Sequence, residues 1–225
     1  NARVFAIDQK SGALNPVGEP VAVPNAVCVQ FLHPPVEKFT RIFDGKSIKG
    51  WEGEAEWFRV ENGAIVAGTM DKRIPKNQFL VTKKTYGNFE LRFKAKLTGQ
   101  GKNAGVQFWS ERIANHHEMI GYQCDIGSMG KASIWGALYD ESRRRKFLQQ
   151  VPLPTQGVTD TDDWNRFRIR AQGSTISIWI NGALATRYFE NEPAAKIPRK
   201  GRFGLQIHSG PPAEACYKDI EVREL

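Results

Sequence analysis

Apolar and polar residues alternate along much of the chain, which predicts β-strands that bury one face. The alternation is longest from Asn88 to Leu97, where every second residue is apolar and the others are mostly charged. The segment from Arg166 to Ala171 repeats it, with three arginines opposite three apolar residues. No amphipathic helical stretch exceeds about two turns, so the pattern predicts an all-β protein.

A β-hairpin is predicted between residues 175 and 188. Two alternating segments, Thr175 to Ile180 and Ala183 to Tyr188, flank the dipeptide Asn181-Gly182. Asn-Gly favours a two-residue turn because both central positions need a positive φ.

The start of the chain predicts a separate β segment. Its three short strands cannot bury a core of their own, and the consecutive prolines of His33-Pro34-Pro35 favour an extended linker. We therefore expect an N-terminal β segment with its linker over residues 1–35 and a main domain over residues 36–225. The three predicted strands are Arg3 to Ile7, Pro20 to Val23 and Val27 to Leu32.

Composition narrows the function classes. The 225 residues are 40% hydrophobic, enough for a packed core, and no apolar run is long enough to span a membrane. The net charge of +8 favours anionic partners, but no nucleic-acid motif accompanies it, so we expect no nucleic acid partner. Since the chain begins at Asn1, we also expect a processed or excised fragment.

The three cysteines do not form a recognisable metal or disulfide motif. Cys28, Cys124 and Cys216 are odd in number and have no C-x-x-C spacing. We expect thiols in the core, with a Cys124–Cys216 bridge as the alternative in an exported protein.

Three of the later strands carry unusual polar side chains on the face away from the core. Alternation with their apolar residues places the following pairs on that face: Gln107 with Trp109, Gln123 with Asp125, and Gln206 with His208. Amide, carboxylate and imidazole groups bind sugar hydroxyls, and aromatic rings stack on sugar C–H faces. The pattern predicts a carbohydrate-binding face, with Trp109, Trp135 and Tyr139 as stacking residues. The alternative is a solvated outer face.

The ordered motifs of residues 39–225 resemble those of the 3-keto-disaccharide hydrolase domain family. They are FTRIFDGKSIKGW, WFRVENGAIVA, FLVTKKTYGNFELRFKAKLTGQGKNAGVQFW, GYQCDIG, WGALYDE, DDWNRFRIRAQGSTISIWINGALATRY and GRFGLQIHSG. The resemblance implies a concanavalin-like jelly-roll β-sandwich of two antiparallel sheets with a sugar site on its concave sheet. It also implies a secreted or periplasmic bacterial protein. The first 33 residues resemble the last blade of a lactonase-type β-propeller, which implies fusion to an N-terminal propeller.

The same resemblance implies cleavage of a small-molecule or oligosaccharide substrate oxidised at C3, a 3-keto-glycoside or 3-keto-disaccharide. A C3 ketone acidifies the C2 proton, so one base can start elimination of the aglycone, and water then adds to the product. His208 is a suitable base, and Asp125 is the alternative base or a metal ligand. Gln123, Gln206 or a divalent cation can stabilise the enolate oxygen. Family members often have Glu-x-Gln where this chain has Gln123-Cys124-Asp125.

Other polar residues receive secondary roles. Arg143 reaches the substrate if its loop overhangs the sheet, and the alternative is a solvated basic loop. Glu90 and Arg92 are expected to form a surface ion pair. His116-His117 is expected to be a polar loop pair, with metal binding as the alternative.

Three other functions compete with the 3-keto-glycoside enzyme. The first is a non-catalytic carbohydrate-binding module of a larger enzyme. The second is a retaining glycosidase, which needs two carboxyl groups about 5 Å apart, and no Glu-x-Asp-x-Glu strand occurs here. The third is a structural or protein-binding sandwich.

Overall fold

A computed structural model describes residues 2–8, 13–22, 38–149 and 158–225. The contacts divide the chain into two compact units, Asn1–Glu37 and Lys38–Leu225. The first unit contains an antiparallel hairpin of β1 (Ala2–Ile7) and β2 (Leu14–Val21).

The predicted N-terminal strands agree with this hairpin only in part. β1 covers the first predicted strand, whereas β2 begins at Leu14 and ends at Val21, earlier than the predicted Pro20 to Val23. The third predicted strand, Val27 to Leu32, and the linker prolines lie outside the described residues.

The second unit is a sandwich of two antiparallel sheets, which we call front and back. The front sheet has the order β13-β12-β10-β9-β17-β7-β4, with β11 paired to β10. The back sheet has the order β16-β15-β14-β8-β18-β6-β5, with β3 paired to β18. The described residues contain no helix. The predicted all-β sandwich of two antiparallel sheets is therefore confirmed. Its strands are β3 Thr40–Arg41, β4 Trp51–Glu52, β5 Phe58–Glu61, β6 Ala64–Thr69, β7 Gln78–Thr82, β8 Phe89–Gly99, β9 Asn103–Arg112, β10 Met119–Met129, β11 Ala132–Ser133, β12 Leu138–Glu141, β13 Lys146–Gln149, β14 Asn165–Gln172, β15 Thr175–Ile180, β16 Ala183–Phe189, β17 Arg202–Ile207 and β18 Ala213–Glu224.

The alternating strands pack their apolar faces into one core between the sheets. Phe93 of β8 pairs with Phe167 of β14, and their rings stack 4.9 Å apart with an interplanar angle of 3°. Phe108 of β9 stacks on Tyr122 of β10 at 5.7 Å from the other sheet. Burying aromatic rings of this size dominates the stability of such a core.

The predicted hairpin is present. Asn181 and Gly182 join β15 to β16 with φ values of 50° and 91°. The Asn181 side chain also ties the turn to the sheet, because its Oδ1 accepts the Arg166 N–H at 2.8 Å and its Nδ2 donates to the Val158 carbonyl.

The described cysteines are free thiols. Cys124 is fully buried in the core, and Cys216 on β18 is half-buried. The alternative of a Cys124–Cys216 bridge is wrong, since the two thiols are unpaired; Cys28 lies outside the described residues.

In the part of the chain that the structure describes, no helix could cross a membrane.

Candidate active site on the front sheet

Four polar side chains form a buried cluster on the outer face of the front sheet, the face away from the core. Gln123 pairs with Gln107 across β9 and β10, while Asp125 and Gln206 both pair with Gly105 from its two sides. The four polar residues are at most 4% exposed. The sequence pattern correctly placed them on one face. They lie close together because β9 is flanked by β10 and β17 in the front sheet.

Hydrogen bonds connect the cluster through Gln123. Its Nε2 donates to Asp125 Oδ1 at 2.6 Å and to Gln206 Oε1 at 3.2 Å. Its Oε1 accepts from Gln107 Nε2 at 3.1 Å. One amide therefore fixes the orientation of three neighbours.

The absence of a side chain at position 105 allows this arrangement. A Cβ atom on Gly105 would lie 2.7 Å from both Cγ and Cδ of Gln123. Real Cβ atoms do not approach other atoms so closely, so only glycine lets Gln123 lie across β9 and reach Gln206.

Two buried polar atoms of the cluster lack a hydrogen bond within the described part of the chain. They are Gln107 Oε1, an acceptor, and Gln206 Nε2, a donor. A buried polar atom without a partner costs about 1–3 kcal/mol. The cluster therefore keeps one donor and one acceptor whose energetic need a ligand with hydroxyl or carbonyl groups would meet.

The end of the β9–β10 hairpin, from Arg112 to Met119, folds back over this face. A Cβ on Gly204 of β17 would lie 2.5 Å from Met119 Sδ, so Met119 covers that strand. Met119 packs there with Phe79 and Val81 in a small buried apolar cluster separate from the main core. Arg112 fixes the connection by donating to the Phe79 carbonyl at 2.9 Å. The four polar side chains of the site are thereby shielded from bulk water.

Burial changes the acidity of Asp125. Burial raises the pKa of this carboxyl to about 8 against the opposing effect of the Gln123 hydrogen bond, and the charge of Glu141 contributes to the rise. Asp125 is therefore protonated at neutral pH, and it can donate a proton.

His208 follows β17 directly and is half-buried. Its backbone N–H donates to the Asn103 carbonyl, which keeps His208 beside the start of β9. Its Nδ1 lies 2.7 Å from the Ser209 carbonyl oxygen. Because a carbonyl only accepts, Nδ1 carries the proton, and Nε2 is left as the basic nitrogen.

Two glutamates that were not predicted from the sequence also lie at the site. Glu141 of β12 pairs with Gly121, and its charge interacts with His208, Asp125 and Glu118. Burial and the Glu118 charge raise the pKa of Glu141. The alternation of β12 contained a signal for Glu141, which shares the face of Tyr139.

Glu118 reaches the site through the folded-back connection. Its Oε1 accepts from Asn77 Nδ2 at 2.9 Å, and the Asn77 Oδ1 accepts the Ser209 N–H. This chain of contacts brings Glu118 to the end of β17 that precedes His208. Glu118 lies outside the alternating strands, so the sequence pattern held no signal for it.

The three predicted stacking aromatics do not meet in one place. Tyr139 pairs with Gln123 on the outer face and packs against Phe147. Trp135 is in the core, stacked on Phe167 at 6.1 Å. Its predicted place beside the sugar is corrected, because its ring has no exposed face to offer.

The predicted stacking role of Trp109 is also wrong, because Trp109 lies in the core. It has a φ of 47°, and the pairing of β9 with β17 shifts register beside it. This bulge turns the indole into the core, where its Nε1 donates to the Gly87 carbonyl at 2.6 Å. Strict alternation fails at the extra residue of a bulge.

Arg143 does not overhang the polar face. Asp140 pairs with Tyr122, so both lie on the core side of the front sheet. Arg143 folds toward them: its Nε donates to Asp140 Oδ1 at 2.9 Å, and its guanidinium lies 4.8 Å from the Tyr122 ring centre. The predicted substrate contact is replaced by a buried ion pair.

The residues present do not form a ready metal centre. Among the described residues no group of three His, Cys, Asp or Glu side chains is close enough to hold a metal ion. His116 and His117 stack on each other at 4.4 Å, and His117 Nε2 lies 3.2 Å from Glu118.

The comparisons with solved structures identify the architecture. A candidate glycosyl hydrolase from Parabacteroides distasonis superposes with a TM-score of 0.63 and 18% identity, covering 83% of this chain and 94% of its own. The carbohydrate binding module CBM66 from Bacillus subtilis gives 0.56 and 12%, covering 78% and 96%. The β-glucanase of Bacillus licheniformis gives 0.54 and 13%, covering 79% and 94%. At these identities the likeness shows the jelly-roll fold alone.

Comparison with curated proteins finds no match. A family model described as the 3-keto-alpha-glucoside-1,2-lyase-like domain matches residues 38–223, most of the second unit. The chain therefore belongs to the family of 3-keto-alpha-glucoside-1,2-lyase-like domains.

Proposed function

We propose that the polar site on the front sheet cleaves 3-keto-glycosides or 3-keto-disaccharides by elimination across C1 and C2, followed by hydration. The observation that carries the proposal is the buried cluster in which Gln123 links Asp125 to Gln206, whose Nε2 donor has no partner in the described part of the chain. A keto sugar needs such donors, because negative charge develops on its C3 oxygen.

The steps balance with the residues present. His208 Nε2 takes the C2 proton, and the electron pair of that bond forms an enolate with the C3 carbonyl. The enolate then reforms the ketone, giving a C1–C2 double bond and breaking the bond from C1 to the aglycone oxygen. Asp125 gives its proton to that oxygen. Addition of water at C1, with return of a proton to C2, completes net hydrolysis.

Each group suits its step for a physical reason. A general base works best when its pKa lies near the operating pH, which favours an imidazole. A carboxyl group kept neutral by burial is a proton donor at pH 7. Gln206 Nε2 stabilises the enolate oxygen. The Gln123 amide holds the side chains of Asp125 and Gln206 in position through its hydrogen bonds.

We also propose a cellular location and a fusion partner for this domain, both from sequence resemblance. The family resemblance supports a secreted or periplasmic location, and the first 33 residues support fusion to an N-terminal β-propeller.

The decisive experiment compares aglycone release from a chromogenic 3-keto-glucoside with release from the unoxidised glucoside, with and without a chelator. We expect release from the keto sugar alone. His208→Gln, which removes the basic nitrogen, is expected to lower kcat by about 100-fold or more, and Asp125→Asn by a similar factor. Lys46→Gln, at an exposed position outside the site, is the matched control. Full activity in both the His208 and the Asp125 variant would contradict these roles.

The alternative is a non-catalytic carbohydrate-binding module. The pre-formed hydrogen bonds among Gln107, Gln123 and Gln206 favour it, because fixed donors and acceptors suit binding without turnover. Measured affinity for sugars with no product from either substrate would establish this function instead.

A further inference from the structure

The outer face of the back sheet, on the other side of the sandwich, is strongly cationic. Cross-strand pairs place Arg168 beside Arg92, and Lys94 between Arg166 and Lys218. All of these side chains point away from the core because they alternate with buried residues. The face carries the following cations: Arg92, Lys94, Lys96, Arg166, Arg168, Arg170, Lys218 and Arg223.

Acidic residues neutralise only part of this charge. Glu90 forms ion pairs with both Arg92 and Arg223. Asp219 pairs with Lys94 at 2.8 Å, and Asp163 pairs with Lys96 at 3.7 Å. The expected ion pair of Glu90 with Arg92 is therefore present, although Glu90 is buried and not a surface group.

The three arginines of β14 form the uncompensated part of the face. Among the described residues, no carboxylate lies within ion-pair distance of Arg166, Arg168 or Arg170. Successive residues on one face of a strand are about 6.8 Å apart. The strand thus presents a regular row of guanidinium groups, and the buried Nε of Arg168 has no hydrogen-bond partner in the described part.

Aromatic rings position these cations. The guanidinium of Arg168 lies 3.7 Å from the Trp179 ring centre, and Lys218 Nζ lies 4.0 Å from that of Trp164. A cleft of about 330 Å³ opens on this face. Its polar lining consists of the cations Arg92, Lys94, Arg166 and Arg168, the Trp179 indole, and the carboxylates Asp219 and Glu221. Its size falls at the lower end of the range for small-ligand sites, roughly 300–1,000 Å³.

We propose that this face binds an anionic polysaccharide, one that carries carboxylate or sulfate groups. Arginine recognises both groups by paired N–H donors in a planar fork. The choice of a glycan rests on the proposed function, since the other sheet of the same domain handles a sugar. Single-stranded nucleic acid is disfavoured because bases stack on open aromatic faces, whereas Trp179 and Trp164 each have a cation over the ring.

Such a face would keep the domain on the polymer that surrounds its substrate. Holding a catalytic cleft near a polymer raises its effective concentration there without any new contact to the substrate.

The test measures binding to polygalacturonate, dextran sulfate and neutral dextran at low and physiological salt. The variant R166Q/R168Q/R170Q removes three charges from β14, and K46Q/K49Q/K83Q removes three exposed charges elsewhere. We expect the first variant to bind both anionic polymers at least about tenfold more weakly, and the control to change less than about twofold. Polygalacturonate and dextran sulfate distinguish carboxylate from sulfate recognition. Because Arg168 packs on Trp179, R166Q/R170Q serves as a second variant, with a smaller loss expected.

Three results would overturn the inference: no binding to either anionic polymer, equal losses in the two triple variants, or tighter binding to single-stranded DNA or to anionic lipid vesicles. Failure of the proposed function can be distinguished from failure of this inference. Aglycone release from a small 3-keto-glucoside should be unchanged in R166Q/R168Q/R170Q, and polymer binding should persist in His208→Gln.

Discussion

Asp125 combines two properties that usually exclude each other, a carboxyl group and a nearly complete lack of solvent. Burial favours the neutral carboxyl group, and among the described residues no cation contributes to its pKa. A group whose pKa is raised by folding makes the folded state dependent on pH.

We predict that this dependence can be measured. The unfolded carboxyl ionises near pH 3.8 and the folded one near pH 8, so between these values the unfolded state binds fewer protons and stability falls as pH rises. The loss between pH 4 and 8 is on the order of 5 kcal/mol at most. In Asp125→Asn this contribution should vanish. Urea unfolding at several pH values would check it, and parallel curves for the two proteins would contradict the buried neutral acid.

The lack of a side chain at Gly105 allows Gln123 to take its position in the polar cluster. In Gly105→Ala the new Cβ would displace Gln123, which then loses its hydrogen bonds to Asp125 and Gln206. We expect kcat/KM for the 3-keto-glucoside to fall at least about tenfold, with about 1–3 kcal/mol lost from the free energy of unfolding.

The matched control is Gly87→Ala, because a Cβ there meets no atom within 4 Å. Steady-state kinetics and urea unfolding of both variants measure the two effects. Equal activity of Gly105→Ala and the native protein would show that the position of Gln123 is not needed.

At the scale of elements, the sequence pattern was sufficient wherever strands were regular. Alternation along β9, β10 and β17 correctly assigned Gln107, Gln123, Asp125 and Gln206 to one face. It failed at Trp109, because a bulge is a local left-handed backbone conformation that the residue types around it do not announce. Glu118 was missed for a related reason: the connection that carries it is positioned by tertiary contacts such as Asn77.

The β15–β16 hairpin gives a prediction for the turn that connects these elements. Gly182 has a φ of 91° with open space around it, so Gly182→Ala suffers backbone strain without steric overlap. The expected cost is about 1–2 kcal/mol in the free energy of unfolding. Urea unfolding measures it, with Gly87→Ala again as control. An unchanged midpoint would show that the turn relaxes to another type.

At the scale of the whole molecule, the division of contacts at residue 37 predicts an autonomous domain. A chain beginning at Lys38 should therefore keep the urea midpoint and the aglycone release of the 225-residue chain. Both quantities are measured on the shortened and the full chain. A shortened chain that is folded but inactive would show that the N-terminal segment contributes to function.

The position of β18 governs how the domain can assemble. This strand spans Ala213–Glu224, yet it lies in the middle of the back sheet between β8 and β6, which precede it by more than a hundred residues. Pairing over such sequence distances makes folding slow. During synthesis, the edges of β6 and β8 that pair with β18 stay unpaired until β18 is made. Such edges invite pairing with other chains, so the nascent protein should depend on chaperones that bind extended segments.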